Sequence, residues 1–170
     1  MRIIAGAWRN RRIESPADPR ARPTTERVRE AWMSILQQRL GAARCVDLFA
    51  GTGAMGLEAL SRGAASCDFI ELSQRSLDAL GRNVALLDAA GARIVRGDAL
   101  RFVARLAPLA YDIAFADPPY STRHASRIAG LFRERPFARI LGVEHDIHED
   151  VGDGDHRRYG TTVLTFLEAP

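Results

Sequence analysis

A chain of 170 residues, 46% hydrophobic and 26% charged, holds enough apolar material for one compact domain with its own core. No apolar run approaches the roughly 20 residues that span a membrane, and the basic stretch Met1 to Arg12 lacks the apolar centre of a secretory signal, so a soluble cytoplasmic protein is expected. The net charge of +3 is uneven: residues 1–44 hold ten Arg against Glu14, Asp18, Glu26 and Glu30, a net of +6, leaving −3 for the remainder.

Residues 1–23 carry short β-like pieces, Arg2 to Ala5 and Arg12-Ile13, separated by Gly6 and Asn10 and followed by Pro16, Pro19 and Pro23. A helix is predicted from Thr24 or Thr25, with Val28, Ala31, Trp32, Ile35 and Leu36 at helical spacing. From Arg44 strands and helices alternate. Strands are expected at Cys45 to Phe49, Cys67 to Glu71, Arg93 to Val95, Tyr111 to Ala116, Ile140 to Glu144 and Thr161 to Leu167. Helices are expected at Met55 to Ser61, Gln74 to Leu87, Leu100 to Leu106 and Ala125 to Arg133. Such alternation predicts an α/β fold, a mostly parallel sheet with helices on both faces. The segment Asp146 to Tyr159 has no helical pattern, so the last strand is expected to enter antiparallel. Cys45 and Cys67 lack metal-ligand spacing and read as small buried hydrophobes.

Two segments carry chemistry. The first is Asp47 to Gly56, where Gly51-x-Gly53-x-x-Gly56 joins a strand to a helix and Glu71 follows twenty residues after Gly51. Glycines there permit a tight turn and a close backbone approach, and an acid at the tip of the next strand can hold ribose hydroxyls. Both S-adenosylmethionine and NAD carry such a ribose. Asp47 favours the former, since a carboxylate attracts an ammonium and repels a pyrophosphate. The second is Asp117-Pro118-Pro119-Tyr120, at the end of a strand. Two prolines make a rigid extended turn with free acceptors, Asp117 adds a carboxylate and Tyr120 a flat ring. That set suits a planar base bearing an amine, held by Asp117 and the Pro118 carbonyl and stacked on Tyr120. If the two strands are neighbours at the sheet's switch point, both turns open into one crevice. The basic front end fits a polyanion.

These residues resemble those of the RsmD-type family, bacterial 16S ribosomal RNA guanine-N2 methyltransferases. The likeness runs through Met1 to Gly6, Arg22-Pro23-Thr24-Thr25-Glu26-Arg27-Val28-Arg29-Glu30, Asp47 to Ala64, Asp117 to Tyr120 and Tyr159 to Thr162. It implies a Rossmann-like methyltransferase fold, a mostly parallel seven-stranded sheet with one antiparallel strand and a small basic N-terminal β/helix extension. On that basis residues 1–40 form an RNA-binding extension packed on the core, and residues 41–170 the methyltransferase domain. The implied reaction moves a methyl group from S-adenosylmethionine to the N2 amine of guanine 966 of 16S rRNA, on naked RNA or a small-subunit assembly intermediate, by a monomer. Gly51, Gly53 and Asp47 would line the cofactor loop, Glu71 would take the ribose hydroxyls and Asp98 the adenine amine. Asp117, Pro118 and Tyr120 would hold the base, and Arg9, Arg11, Arg12 and Arg22 the RNA. No metal is expected. His145, His148 and His156 stand among acids in Asp146 to Arg158, a segment less like the family and read as a solvated loop or hairpin. An adenine-N6 nucleic-acid methyltransferase, a small-molecule methyltransferase and an NAD-dependent oxidoreductase are the alternatives.

Overall fold

The computed structural model describes residues 1–14, 26–120 and 122–170. Arg22, Thr24 and Thr25 therefore lie outside the described residues. In chain order the elements are α1 (Glu26–Leu40), β1 (Arg44–Leu48), α2 (Ala54–Ser61), β2 (Ser66–Glu71), α3 (Gln74–Leu87), β3 (Ala92–Arg96), α4 (Ala99–Val103), β4 (Tyr111–Ala116), α5 (His124–Glu134), β5 (Ala138–Asp146), β6 (Asp155–Tyr159) and β7 (Thr162–Glu168).

The strands form one seven-stranded sheet in the order β3-β2-β1-β4-β5-β7-β6. Strands β1 to β5 pair in parallel, and β7 runs antiparallel to both neighbours, β5 and β6. It is thus the single reversed strand of the sheet, as the sequence led one to expect. The chain winds outward from β1 to β3, then returns to place β4 on the other side of β1. Reversal of winding direction leaves a crevice beyond the carboxyl ends of β1 and β4.

Helices cover both faces. Trp32, Met33 and Leu36 of α1, Leu57 of α2 and Leu80 of α3 pack with Phe69, Phe115 and Phe166 on one face. Leu100 and Val103 of α4 and Ile128, Ala129 and Phe132 of α5 pack with Val46, Ile70, Ala114 and Val143 on the other. Alternate residues of each strand therefore serve different layers. The central strand β1 is buried at all but its first residue, as a strand covered on both faces must be.

Of the loop or hairpin expected for the charged segment, the structure has the hairpin: Asp155–Tyr159 pairs antiparallel with β7 as an edge strand. Four of its five residues are exposed, so no apolar alternation marks it; charged side chains on an edge also discourage pairing with another chain. Nearby, His145 Nε2 and His156 Nδ1 both meet the Thr165 hydroxyl, at 2.8 and 2.7 Å. Among the described residues no three His, Cys, Asp or Glu side chains are grouped as metal ligands.

The N-terminal segment folds back on itself. Ile3 N–H donates to the Arg11 carbonyl and Asn10 N–H to the Ile3 carbonyl, both at 2.9 Å. Ile3 and Ile13 enter the core beside α1 and α2. A buried ion pair secures the fold-back. Glu58 accepts the Ile4 and Ala5 amides at 2.8 and 3.0 Å and Arg62 Nε at 2.8 Å. Arg29 Nε lies 3.8 Å from Glu58, and its Nη2 donates to the Arg2 carbonyl at 2.6 Å. Arg29 is fully buried, so one of the ten front-end Arg belongs to the interior and not to the charged surface.

Candidate active site

Strand periodicity builds the site. Phe69, Cys45, Phe115 and Gly142 all face the layer around Trp32. Two residues further along the chain stand Glu71, Asp47, Asp117 and Glu144, the third of them just past the end of β4. Four carboxylates thus rise on one face at the carboxyl ends of the adjacent strands β2, β1, β4 and β5. The register pairs Leu48 with Ala116 and Ala116 with Val143, which sets these tips side by side. They line one cavity of about 920 Å³, together with Phe49, Gly51, Thr52, Asp98, Pro118, Pro119, Tyr120 and His124. That volume is of the size that encloses small-molecule ligands. The expected crevice shared by both turns is present.

The glycine turn divides its labour. Gly51 sits at φ 55° with open space where a Cβ would stand, and lines the cavity. Gly53 has φ 85°, and a Cβ there would lie 2.4 Å from Leu80 Cδ1. Its left-handed geometry and close contact serve the packing of α3, and it does not line the cavity as expected. Asn83, fully buried on α3, donates from Nδ2 to the Thr52 carbonyl at 2.9 Å and accepts the Glu14 amide at 2.8 Å. It brackets the turn to the N-terminal segment. Nothing in local spacing marks Asn83, because its partners lie 31 and 69 residues away.

Asp47 is almost wholly enclosed and accepts the Gly56 amide at 2.8 Å. Burial pushes its carboxyl well above the ordinary carboxylate range; the Gly56 N–H opposes this, and the charges of Asp117 and Glu71 add to it. Glu71 accepts three backbone amides, from Gly51 at 2.7 Å, Leu72 at 2.8 Å and Ser73 at 2.7 Å. Asp98 lines the cavity and caps α4 by accepting the Arg101 amide at 2.8 Å.

On the other side, the Thr122 hydroxyl closes the proline turn on the Pro119 carbonyl at 2.6 Å. The Tyr120 hydroxyl donates to Glu144 Oε1 at 3.1 Å and lies 2.9 Å from Thr162 Oγ1. Since that single proton goes to the carboxylate, Thr162 is the donor of the second bond. Burial, with the Glu144 charge, pushes the Tyr120 phenol up to about 12 against the opposing Thr162 bond, so it stays protonated at neutral pH. Glu144 and Thr162 escaped the sequence reading, which saw only strand at both positions. So did the parallel stack of Phe49 on His124, centroids 5.5 Å apart, between the two turns.

Arg9 and Arg12 are exposed on the N-terminal fold-back and make no ion pair among the described residues. Arg11 is exposed too, but its Nη2 donates to the Leu86 carbonyl at 2.7 Å, near the end of α3.

A family model described as conserved hypothetical protein 95 matches residues 1–167. The chain is 44% identical over 120 residues to the Escherichia coli protein named ribosomal RNA small subunit methyltransferase D. That match covers 71% of this chain and spans only 60% of the relative's length. The Bacillus subtilis protein YlbH is 31% identical, with 97% of this chain and 95% of YlbH aligned. Among solved structures, Escherichia coli yhhF superposes with a TM-score of 0.85 at 32% identity, covering 98% of this chain and 96% of that one.

Proposed function

The chain belongs to the RsmD-type family, and from that membership we propose that it is an S-adenosylmethionine-dependent methyltransferase acting on the exocyclic N2 amine of a guanine in 16S ribosomal RNA, with position 966 as the family's expected target. The observation that carries this proposal is the chemistry of the cavity. Its described lining includes Asp47, Glu71, Asp98, Asp117 and Glu144 and no Arg or Lys. Such a lining attracts a ligand bearing an ammonium and a sulfonium and repels the pyrophosphate of a dinucleotide. The name of the Escherichia coli relative supports small-subunit ribosomal RNA as the substrate.

Glu71 and Gly51 would hold the ribose, Asp98 the adenine amine, and Asp47 the ammonium of the methionine part. When bound, S-adenosylmethionine supplies an electrophilic methyl group on sulfur. Asp117 and the Pro118 carbonyl would accept the two amine hydrogens of the base. Drawing on these hydrogens favours a pyramidal nitrogen and turns its lone pair toward the methyl group. Tyr120, its hydroxyl held by Glu144 and Thr162, would present a fixed ring face for stacking. The methylated nitrogen carries one proton too many until it releases it, and the positive charge growing there is stabilised by Asp117. Alignment in an enclosed site is the main contribution of the protein. A base reaching this recess must leave its stack.

Residues 1–40 would serve as the RNA-binding extension, with Arg9, Arg12 and Arg22 as phosphate contacts. The test is mass spectrometry of the product when the protein methylates ribosomal RNA from a strain lacking its gene. N2-methylguanosine is the expected nucleoside; N6-methyladenosine would replace this proposal with an adenine methyltransferase.

A further inference from the structure

We propose that Glu144 reads the ring N1–H of the target base, and so selects guanine from bases that carry the same amine without that neighbouring donor. This rests on the guanine-N2 function proposed above. Guanine presents two adjacent donors on one edge, N1–H and the N2 amine. Adenine and cytosine place a ring acceptor beside theirs. A site that takes guanine by this edge needs two adjacent acceptors.

The sheet provides them. Beyond the pair Ala116 and Val143, Asp117 is the first residue after β4 and Glu144 the next position of β5. Neighbouring strands are roughly 4.8 Å apart, and both side chains lie on the face of Phe115 and Gly142. Both line the cavity. Glu144 is buried, and its carboxylate lies 3.1 Å from the Tyr120 hydroxyl, beside the ring proposed to stack the base. A carboxylate has room for several donors, so holding Tyr120 does not prevent it from taking N1–H. A base lacking that proton would turn a ring lone pair toward a buried negative charge, an arrangement that costs affinity.

The probe is 2-aminopurine, which keeps the 2-amine but has an acceptor at N1. Unmodified RNA is prepared with guanine or 2-aminopurine at the methylated position, and kcat/KM is measured on each. The wild type should favour guanine on the order of 10- to 100-fold. Glu144→Gln should bring that ratio close to one. Tyr120→Phe should slow transfer to both bases and keep the ratio. Calorimetry with S-adenosylhomocysteine reports whether each variant is folded, and Glu144→Asp, which keeps the charge, should retain part of the preference if the Gln variant does not fold. A wild-type ratio near one, or an equal collapse in Tyr120→Phe and Glu144→Gln, overturns the proposal; the latter would make Glu144 only a positioning residue for Tyr120. A wild type that binds S-adenosylhomocysteine but methylates neither base overturns the proposed function itself.

Discussion

Glu71 accepts the Gly51 amide at 2.7 Å, so the tip of β2 holds the turn that follows β1. The Leu72 and Ser73 amides bond to the other oxygen of the same carboxylate. It is therefore oriented by the backbone itself, which reduces the ordering that binding must supply. Glu71→Ala removes both an acceptor for ribose and the tether of the turn. S-adenosylhomocysteine should bind about 10- to 100-fold more weakly by calorimetry. Unchanged affinity would show that the ribose lies elsewhere.

Asp47 should trade stability for binding. Its carboxyl is pushed up by burial, so the folded state holds this proton to higher pH than the unfolded chain does. Between the two titration points the folded state binds more protons, and stability falls as pH rises through that window. Asp47→Asn keeps an acceptor for Gly56 and removes the charge. The ligand-free variant should melt at a higher temperature than the wild type near neutral pH, the gain shrinking toward about pH 4, while its affinity for S-adenosylmethionine falls. A lower melting temperature at neutral pH would contradict this.

The buried pair of Arg29 and Glu58 predicts unequal losses. Glu58→Gln leaves a fully buried guanidinium without its carboxylate, which should cost about 3–5 kcal/mol in urea denaturation. Arg29→Met leaves Glu58 with Arg62 and two backbone amides, so the loss should be smaller. The reverse order would mean that the amides, and not Arg29, balance the Glu58 charge poorly.

On the N-terminal fold-back, Arg9 and Arg12 are the better candidates for phosphate, because Arg11 already serves the Leu86 carbonyl. Replacing Arg9 and Arg12 with Ala should weaken RNA binding. On single-stranded RNA it should reduce the slope of log K against log salt by about 0.7 for each phosphate no longer neutralised. Arg11→Ala alone should change the slope less. A double variant with an unaltered slope would place the RNA on another surface.

What the sequence disclosed and what it hid divide along the range of the interactions. The β1 turn and the Asp117-Pro118-Pro119-Tyr120 turn were legible because each states its chemistry within ten residues. The alternation of strand and helix then placed them at neighbouring tips. Gly51 and Gly53 look alike in sequence, yet only the first lines the cavity, since the contact that demands Gly53 is made by Leu80 on α3. Arg29 is indistinguishable in sequence from the other front-end Arg, because its buried partner Glu58 lies 29 residues later. Glu144 and Thr162 were hidden for the same reason: β5 and β7 bring them to Tyr120 from 24 and 42 residues away. Strand β6 was hidden differently, as an exposed edge with no apolar face to reveal it.

The most direct measurement is made on Asp117→Ala, comparing S-adenosylhomocysteine affinity with methyl transfer to unmodified ribosomal RNA. If cofactor and base meet between the tips of β1 and β4, the variant should keep wild-type affinity within about threefold and lose transfer by at least about 10²- to 10³-fold. A variant that transfers methyl at the wild-type rate would contradict the assignment of the amine to Asp117.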